Sequence, residues 1–258
     1  MNEDMPSGVY VKTPSVVRSK ILYLMGATWH TKAMFDIDTR EDSFSDLLNL
    51  HGMETITFDI IGTGLKDPVL PFGDHNESNI SIARRLIEEH NIRNVIAYSY
   101  GIDILFKLIE EGSIFDRLML LDPRAAGDPI RYFSDDDILI YKKRDILQHF
   151  LENKIKISGV ILQEYINQMV NAPGGQLITP IYPRLLSNNT SLEDRADYLQ
   201  REGSPKFKIV FSNQSREKVR ELFDSKHVIY YDDASHYMLL EGARYKLADA
   251  AAELFLEY

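Results

Sequence analysis

The chain has 258 residues, of which 44% are hydrophobic and 26% charged, with a formal net charge of −10 and no cysteine. A chain of this length and composition buries a real core, which excludes disordered and collagen-like classes, and its negative balance argues against a nucleic-acid partner. The missing cysteines exclude disulfides, thiolate metal sites and cysteine nucleophiles.

Met1 to Pro6 is acidic and polar, without the pattern of a signal peptide, and no stretch approaches the roughly 18 apolar residues of a membrane span. A cytoplasmic protein with no membrane span is therefore expected. Short runs rich in Val, Ile, Leu and Tyr then alternate with longer helical patterns, as in βα units built around a mostly parallel sheet. In chain order, a strand is predicted at Lys20–Leu24, a helix at Ser43–Leu50 and a strand at Glu54–Phe58. A helix over Ser78–His90, a strand at Val95–Ala97, a helix over Gly101–Glu111 and a strand at Leu118–Leu121 follow. After a long interruption come a strand at Phe207–Phe211, a helix over Ser215–Phe223, a strand at Val228–Tyr231 and a terminal helix over Ala243–Leu256. Leu247, Ala250, Ala251, Leu254 and Phe255 lie on one face of that last helix, which should pack on the sheet.

The interruption, from about Ala125 to Pro205, shows no convincing strand. Helical apolar spacing runs over Ile138–Leu151 and Gly159–Val170, Pro173-Gly174-Gly175 is a turn, and Thr190-Ser191-Leu192-Glu193 opens a further helix as a capping box. The run Asp135-Asp136-Asp137 reads as solvated charge favouring the start of the helix at Ile138. The expected organisation is an N-terminal extension over 1–18, a core formed by 19–124 and 206–258, and a helical cap inserted over 125–205.

The most specific local pattern is Ala97-Tyr98-Ser99-Tyr100-Gly101, between a strand and a helix. Small residues two before and two after the serine suit a sharp turn where strand and helix backbones approach closely, and such a turn exposes a hydroxyl at the carboxyl end of a sheet. A serine needs a base, usually an imidazole oriented by a carboxylate. Of the seven histidines, His236 lies between the last strand and the terminal helix, on a loop that should open at the same edge. Asp122 ends the strand Leu118–Leu121 and is the first candidate acid, with Asp232 and Asp233 as fallbacks; Ser212-Asn213-Gln214-Ser215, after the next strand, offers no carboxylate. An oxyanion needs backbone N–H donors, one expected from Tyr100 and a second from the loop Met25–His30, with Ala27 first and Thr28 next. Whether Asp122 completes the set is a question of distance: a carboxylate oxygen should lie within about 3.2 Å of His236 Nδ1.

These residues resemble an α/β-hydrolase-fold serine hydrolase from about Ser19 to the C-terminus, the insertion excepted. Asp59-Ile60-Ile61-Gly62-Thr63-Gly64-Leu65-Lys66-Asp67 is similar to the Asp-x-x-Gly-x-Gly-x-Ser-Asp segment of many members, and the order Ser99, Asp122, His236 matches the order of nucleophile, acid and histidine. Three positions depart from the pattern: Met25-Gly26 stands for the commoner His-Gly, Ala97 for the first elbow glycine, and no carboxylate occupies the usual acid position near Ser215. An acid moved one strand earlier resembles the thioesterase domains of peptide and polyketide synthases, as do the cap placement and size.

The resemblance implies cleavage of a small-molecule acyl ester or thioester with no metal or organic cofactor. A cap would cover the pocket, and Ile138, Leu139, Leu147, Phe150, Val160, Ile161, Tyr165 and Met169 would either contact an acyl chain or pack the cap onto the body. Two alternatives stay open: a non-catalytic or weakened relative that binds a ligand, and an aminopeptidase-like member with an acidic cap residue for a substrate amine. Substrate and oligomeric state are not legible.

Overall fold

A computed structural model describes residues 8–26, 31–60, 76–123, 138–141, 148, 150–151, 155–170, 177–180, 191–213 and 220–256. The elements in chain order are β1 (Val9–Lys12), β2 (Ser19–Leu24), α1 (Thr31–Phe35), α2 (Phe44–Leu50), β3 (Met53–Phe58), α3 (Asn76–His90), β4 (Asn94–Tyr98), α4 (Gly101–Glu110) and β5 (Arg117–Leu121). They continue with β6 (Ile138–Tyr141), α5 (Gly159–Val170), β7 (Leu177–Pro180), α6 (Leu192–Gln200), β8 (Lys206–Ser212), a 3-10 turn (Ser225–His227), β9 (Val228–Tyr231) and α7 (Ala243–Phe255).

Seven strands form one sheet in the order β1-β3-β2-β4-β5-β8-β9, parallel throughout except for β1, which runs antiparallel to β3. The central strands explain the continuous apolar runs in the sequence. Ile21–Leu24, Val95–Tyr98 and Leu118–Leu121 are each at most 1% exposed, and since successive side chains point to opposite faces, both faces must be covered. Helices α3 and α4 pack on each other and on β2, while α2 and α7 pack on each other and reach β3, β5 and β8. The edge strands β1 and β9 are only half-buried. Of the predicted buried face of α7, Leu247, Ala251, Leu254 and Phe255 lie in the core and Ala250 is partly buried against it.

Three local features differ from expectation. Residues 9–12 of the N-terminal segment belong to the sheet, in register Val9↔Phe58 to Lys12↔Thr55; a four-residue edge strand has too little pattern to be read alone, and its partner supplies the pairing. Within 125–205 the helix expected from Ile138 is instead strand β6, paired antiparallel with β7 from Ile138↔Pro180 to Tyr141↔Leu177. Ile-Leu-Ile-Tyr suits a strand as readily as one turn of a helix, so a hydrogen-bonding partner far along the chain decides the outcome. The capping box of α6 sits one residue later than expected, with Ser191 Oγ accepting the Asp194 N–H at 3.0 Å and Asp194 Oδ2 accepting the Ser191 N–H at 3.0 Å. Ala27, Thr28, the Gly62/Gly64 segment, Asp135–Asp137, Leu147, the turn at Pro173–Gly175 and Ser215 lie outside the described residues.

Candidate active site

The turn after β4 is tight because two backbones meet there. A Cβ on Gly101 would lie 2.1 Å from the Leu24 carbonyl oxygen, 2.6 Å from its carbon and 2.9 Å from the Met25 oxygen, all main-chain atoms, so only glycine fits. Ser99 has φ 52°, the left-handed region, which costs an L-residue roughly 1–2 kcal/mol. The surrounding ladder holds it there: Ser99 N–H donates to Leu121 O at 3.0 Å, and its carbonyl accepts from Ile102 N–H at 3.1 Å. Tyr100 follows at the N-cap of α4 (φ −59°, ψ −29°), where main-chain N–H groups project from the helix start and favour negative charge. Gly26, beyond β2, faces the same turn, since a Cβ there would meet Tyr98 ring carbons at 3.1 and 3.2 Å and Ser99 Cβ at 3.2 Å.

One strand over, Asp122 follows β5 with φ 48°, a conformation aspartate tolerates better than most residues. Its N–H donates to Val210 O at 2.8 Å, which extends the ladder and fixes the carboxylate at the carboxyl edge of the sheet. Oδ1 accepts from Ser212 N–H at 3.1 Å and Oδ2 from Ser212 Oγ–H at 3.0 Å. His236 Nδ1 lies 2.5 Å from Oδ2. The Asp122 side chain is 7% exposed, and a buried carboxylate is tolerable only when donors meet it, as these three do. With the proton on Nδ1 and donated in a hydrogen bond to Asp122 Oδ2, the ring's lone pair lies on Nε2.

His236 is held next to the serine turn by Tyr98. The Tyr98 hydroxyl donates to the His236 carbonyl, and the two rings stack with centroids 5.0 Å apart and planes 29° apart. Among the described residues no hydrogen bond joins Ser99 Oγ to the imidazole. The structure thus brings Asp122 and His236 into contact, with His236 against the residue preceding Ser99. Among the described residues, no cluster of three or more His, Asp or Glu side chains is arranged to hold a metal ion. From segment 125–205, Phe150 packs against Tyr165 (5.4 Å) and Tyr237 (4.8 Å); Ile161 is buried and Val160 is exposed.

No family model matches the sequence, and no curated protein matches it. Solved structures do. A Mycobacterium tuberculosis H37Rv protein assigned as the non-heme bromoperoxidase BpoC superposes with a TM-score of 0.66 at 15% identity, covering 100% of both chains. The monoacylglycerol lipase of Paleococcus ferrophilus gives 0.62 at 14% identity over 95% of this chain and 97% of the other. The esterase EaEST of Exiguobacterium antarcticum gives 0.60 at 16% identity over 95% and 94%. The chain has the α/β-hydrolase fold.

Within the α/β-hydrolase fold, Ser99 occupies the turn after β4, Asp122 the end of β5, and His236 the loop between β9 and α7. Three further residues of this edge had escaped the sequence: Ser212, Tyr98 and Glu241. Ser212 had a legible signal, because a hydroxyl at the carboxyl end of the strand beside Asp122 suits a partner to that carboxylate. Tyr98 and Glu241 had none, since their contacts join segments far apart in the chain or lie on the backbone of a loop.

Proposed function

We propose that this chain is a serine hydrolase that cleaves a carboxylic ester or thioester through an acyl-enzyme on Ser99. The observation that carries the proposal is the 2.5 Å contact between Asp122 Oδ2 and His236 Nδ1, beside a serine held at φ 52° on a strand-to-helix turn. Likeness to an esterase and a lipase in fold agrees with it.

In this scheme the substrate draws Ser99 Oγ into hydrogen-bond reach of His236 Nε2, a contact that is often loose before substrate binds. Nε2 takes the hydroxyl proton as Oγ attacks the carbonyl carbon. The oxyanion is met by the N–H groups of Tyr100, at the α4 start, and Ala27. His236 then gives the proton to the departing alcohol or thiol, leaving the acyl group on Ser99. Water repeats the cycle and releases the acid. Asp122 keeps the imidazole in the useful tautomer and stabilises the imidazolium. The scheme uses no metal or organic cofactor. Segment 125–205 acts as the cap over the acyl pocket, and a cytoplasmic small-molecule ester or thioester is the substrate class.

An active-site-directed fluorophosphonate tests this directly. Wild-type protein should be labelled and Ser99→Ala should not; folded wild type that resists labelling would remove the serine mechanism. Acyl thioesters, simple esters and aminoacyl amides offered side by side then separate a thioesterase or esterase from a peptidase.

A further inference from the structure

The His236 loop is gripped by a carboxylate that the scheme above leaves unused. Glu241 is 3% exposed, and it accepts the Ser235 N–H at Oε2 (2.7 Å) and the Lys156 N–H at Oε1 (3.1 Å). Among the described residues it has no salt-bridge partner. A buried carboxylate satisfied by main-chain donors fixes the positions of both donors, and these two belong to very different parts of the chain.

Ser235 directly precedes His236, and its own hydroxyl accepts the Tyr237 N–H at 3.0 Å. The main-chain N–H groups on both sides of the histidine are therefore tied into one network anchored on Glu241. Lys156 lies in residues 155–158, where the chain enters α5. That segment is pinned independently: Ile155 N–H donates to Phe150 O at 3.1 Å, and the Ser158 hydroxyl donates to Glu41 at 2.6 Å. Glu41 in turn accepts from Arg244 at 2.8 Å, three residues beyond Glu241. Phe150 closes the circuit by packing on Tyr237.

We propose that Glu241 is a positioning residue that latches the His236 loop to the base of α5, so that the imidazole and the root of the cap segment move as one unit. The latch follows from the two hydrogen bonds; only its effect on chemistry rests on the hydrolase assignment.

The test uses the full chain, with amide hydrogen exchange read residue by residue and fluorophosphonate labelling resolved into a maximal rate and an apparent affinity. Glu241→Met keeps most of the side-chain volume but removes both acceptor oxygens. Exchange at both Ser235 and Lys156 should accelerate by about tenfold or more. The maximal labelling rate should fall about tenfold while the apparent affinity stays within about twofold, a split that global destabilisation would not produce. Lys156→Pro removes only the cap-side donor, and the latch requires exchange at Ser235 to accelerate in that variant also. Acceleration at one amide alone in Glu241→Met, or unchanged Ser235 exchange in folded Lys156→Pro, would overturn the latch. An unchanged maximal labelling rate in Glu241→Met would remove the positioning role. If wild type is not labelled at all while both variants loosen Ser235, the latch stands and the serine chemistry falls.

Discussion

Replacing Asp122 with asparagine leaves the shape of the site intact and changes only what each atom can accept or donate. The new side chain has one oxygen and one amino group to face three donors: Ser212 N–H, Ser212 Oγ–H and the Nδ1–H of His236. If the oxygen stays on the Ser212 N–H, the amino group faces Nδ1, and the imidazole must then carry its proton on Nε2. That tautomer has no lone pair for the Ser99 proton. In the other orientation the imidazole is correct, but the amino group opposes a buried main-chain N–H, an unmet donor costing roughly 1–3 kcal/mol. The non-working tautomer is therefore favoured by about 5- to 150-fold. Loss of the carboxylate charge adds to this, because a charge pair near 4 Å interacts by about 4 kcal/mol at an effective dielectric of 20. Together these predict a fluorophosphonate labelling rate lower by about 10³- to 10⁵-fold, with a melting temperature within a few degrees of wild type. The assay is the second-order labelling rate, scaled between wild type and His236→Ala. Labelling of folded Asp122→Asn within about threefold of wild type would remove Asp122 from the mechanism.

Gly101→Ala forces a Cβ against main-chain atoms of residues 24 and 25. The overlap should outweigh the gain in helix propensity, giving about 1–3 kcal/mol of destabilisation and a melting point lower by about 3–10 °C in thermal denaturation. Ser212→Ala deletes one of the three donors to Asp122 among the described residues; it should cost about 1.5–3 kcal/mol in chemical unfolding and slow labelling less than Asp122→Asn does. Lys12 Nζ lies 2.5 Å from Asp36 and 2.6 Å from Asp46. Burial opposes the ammonium charge, but hydrogen bonds to Asp36 and Asp46 outweigh it and raise the Lys12 pKa. Burial likewise opposes the Asp46 charge, and Lys12 with Ser43 outweighs it and lowers the Asp46 pKa. The lysine contribution is thus complete below its unfolded pKa, near 10.4, and fades as pH rises through the folded value; that of Asp46 is present above about 3.9 and fades as pH falls. The stability gap between wild type and Lys12→Met should accordingly be widest between about pH 5 and 9 and narrow below about pH 4, as measured by urea unfolding.

Much of the core was legible because its cause is local. Strands buried on both faces must be apolar throughout, so Ile21–Leu24, Val95–Tyr98 and Leu118–Leu121 declare themselves, and the small-Ser-small turn at Ala97–Gly101 follows from the steric demand at Leu24. Strands β1, β6 and β7 were not legible, because each is four residues long and takes its hydrogen bonds from a distant partner. Residue types and their order determined the serine turn, the choice of His236 and the α/β architecture. Only the tertiary structure decided that Asp122 stands 2.5 Å from His236, that Ser212 and Tyr98 hold the pair, and that Glu241 binds two segments together. The physical reason is that hydrogen bonds depend on separations of a few tenths of an ångström between side chains brought together by sheet register, which no one-dimensional spacing encodes.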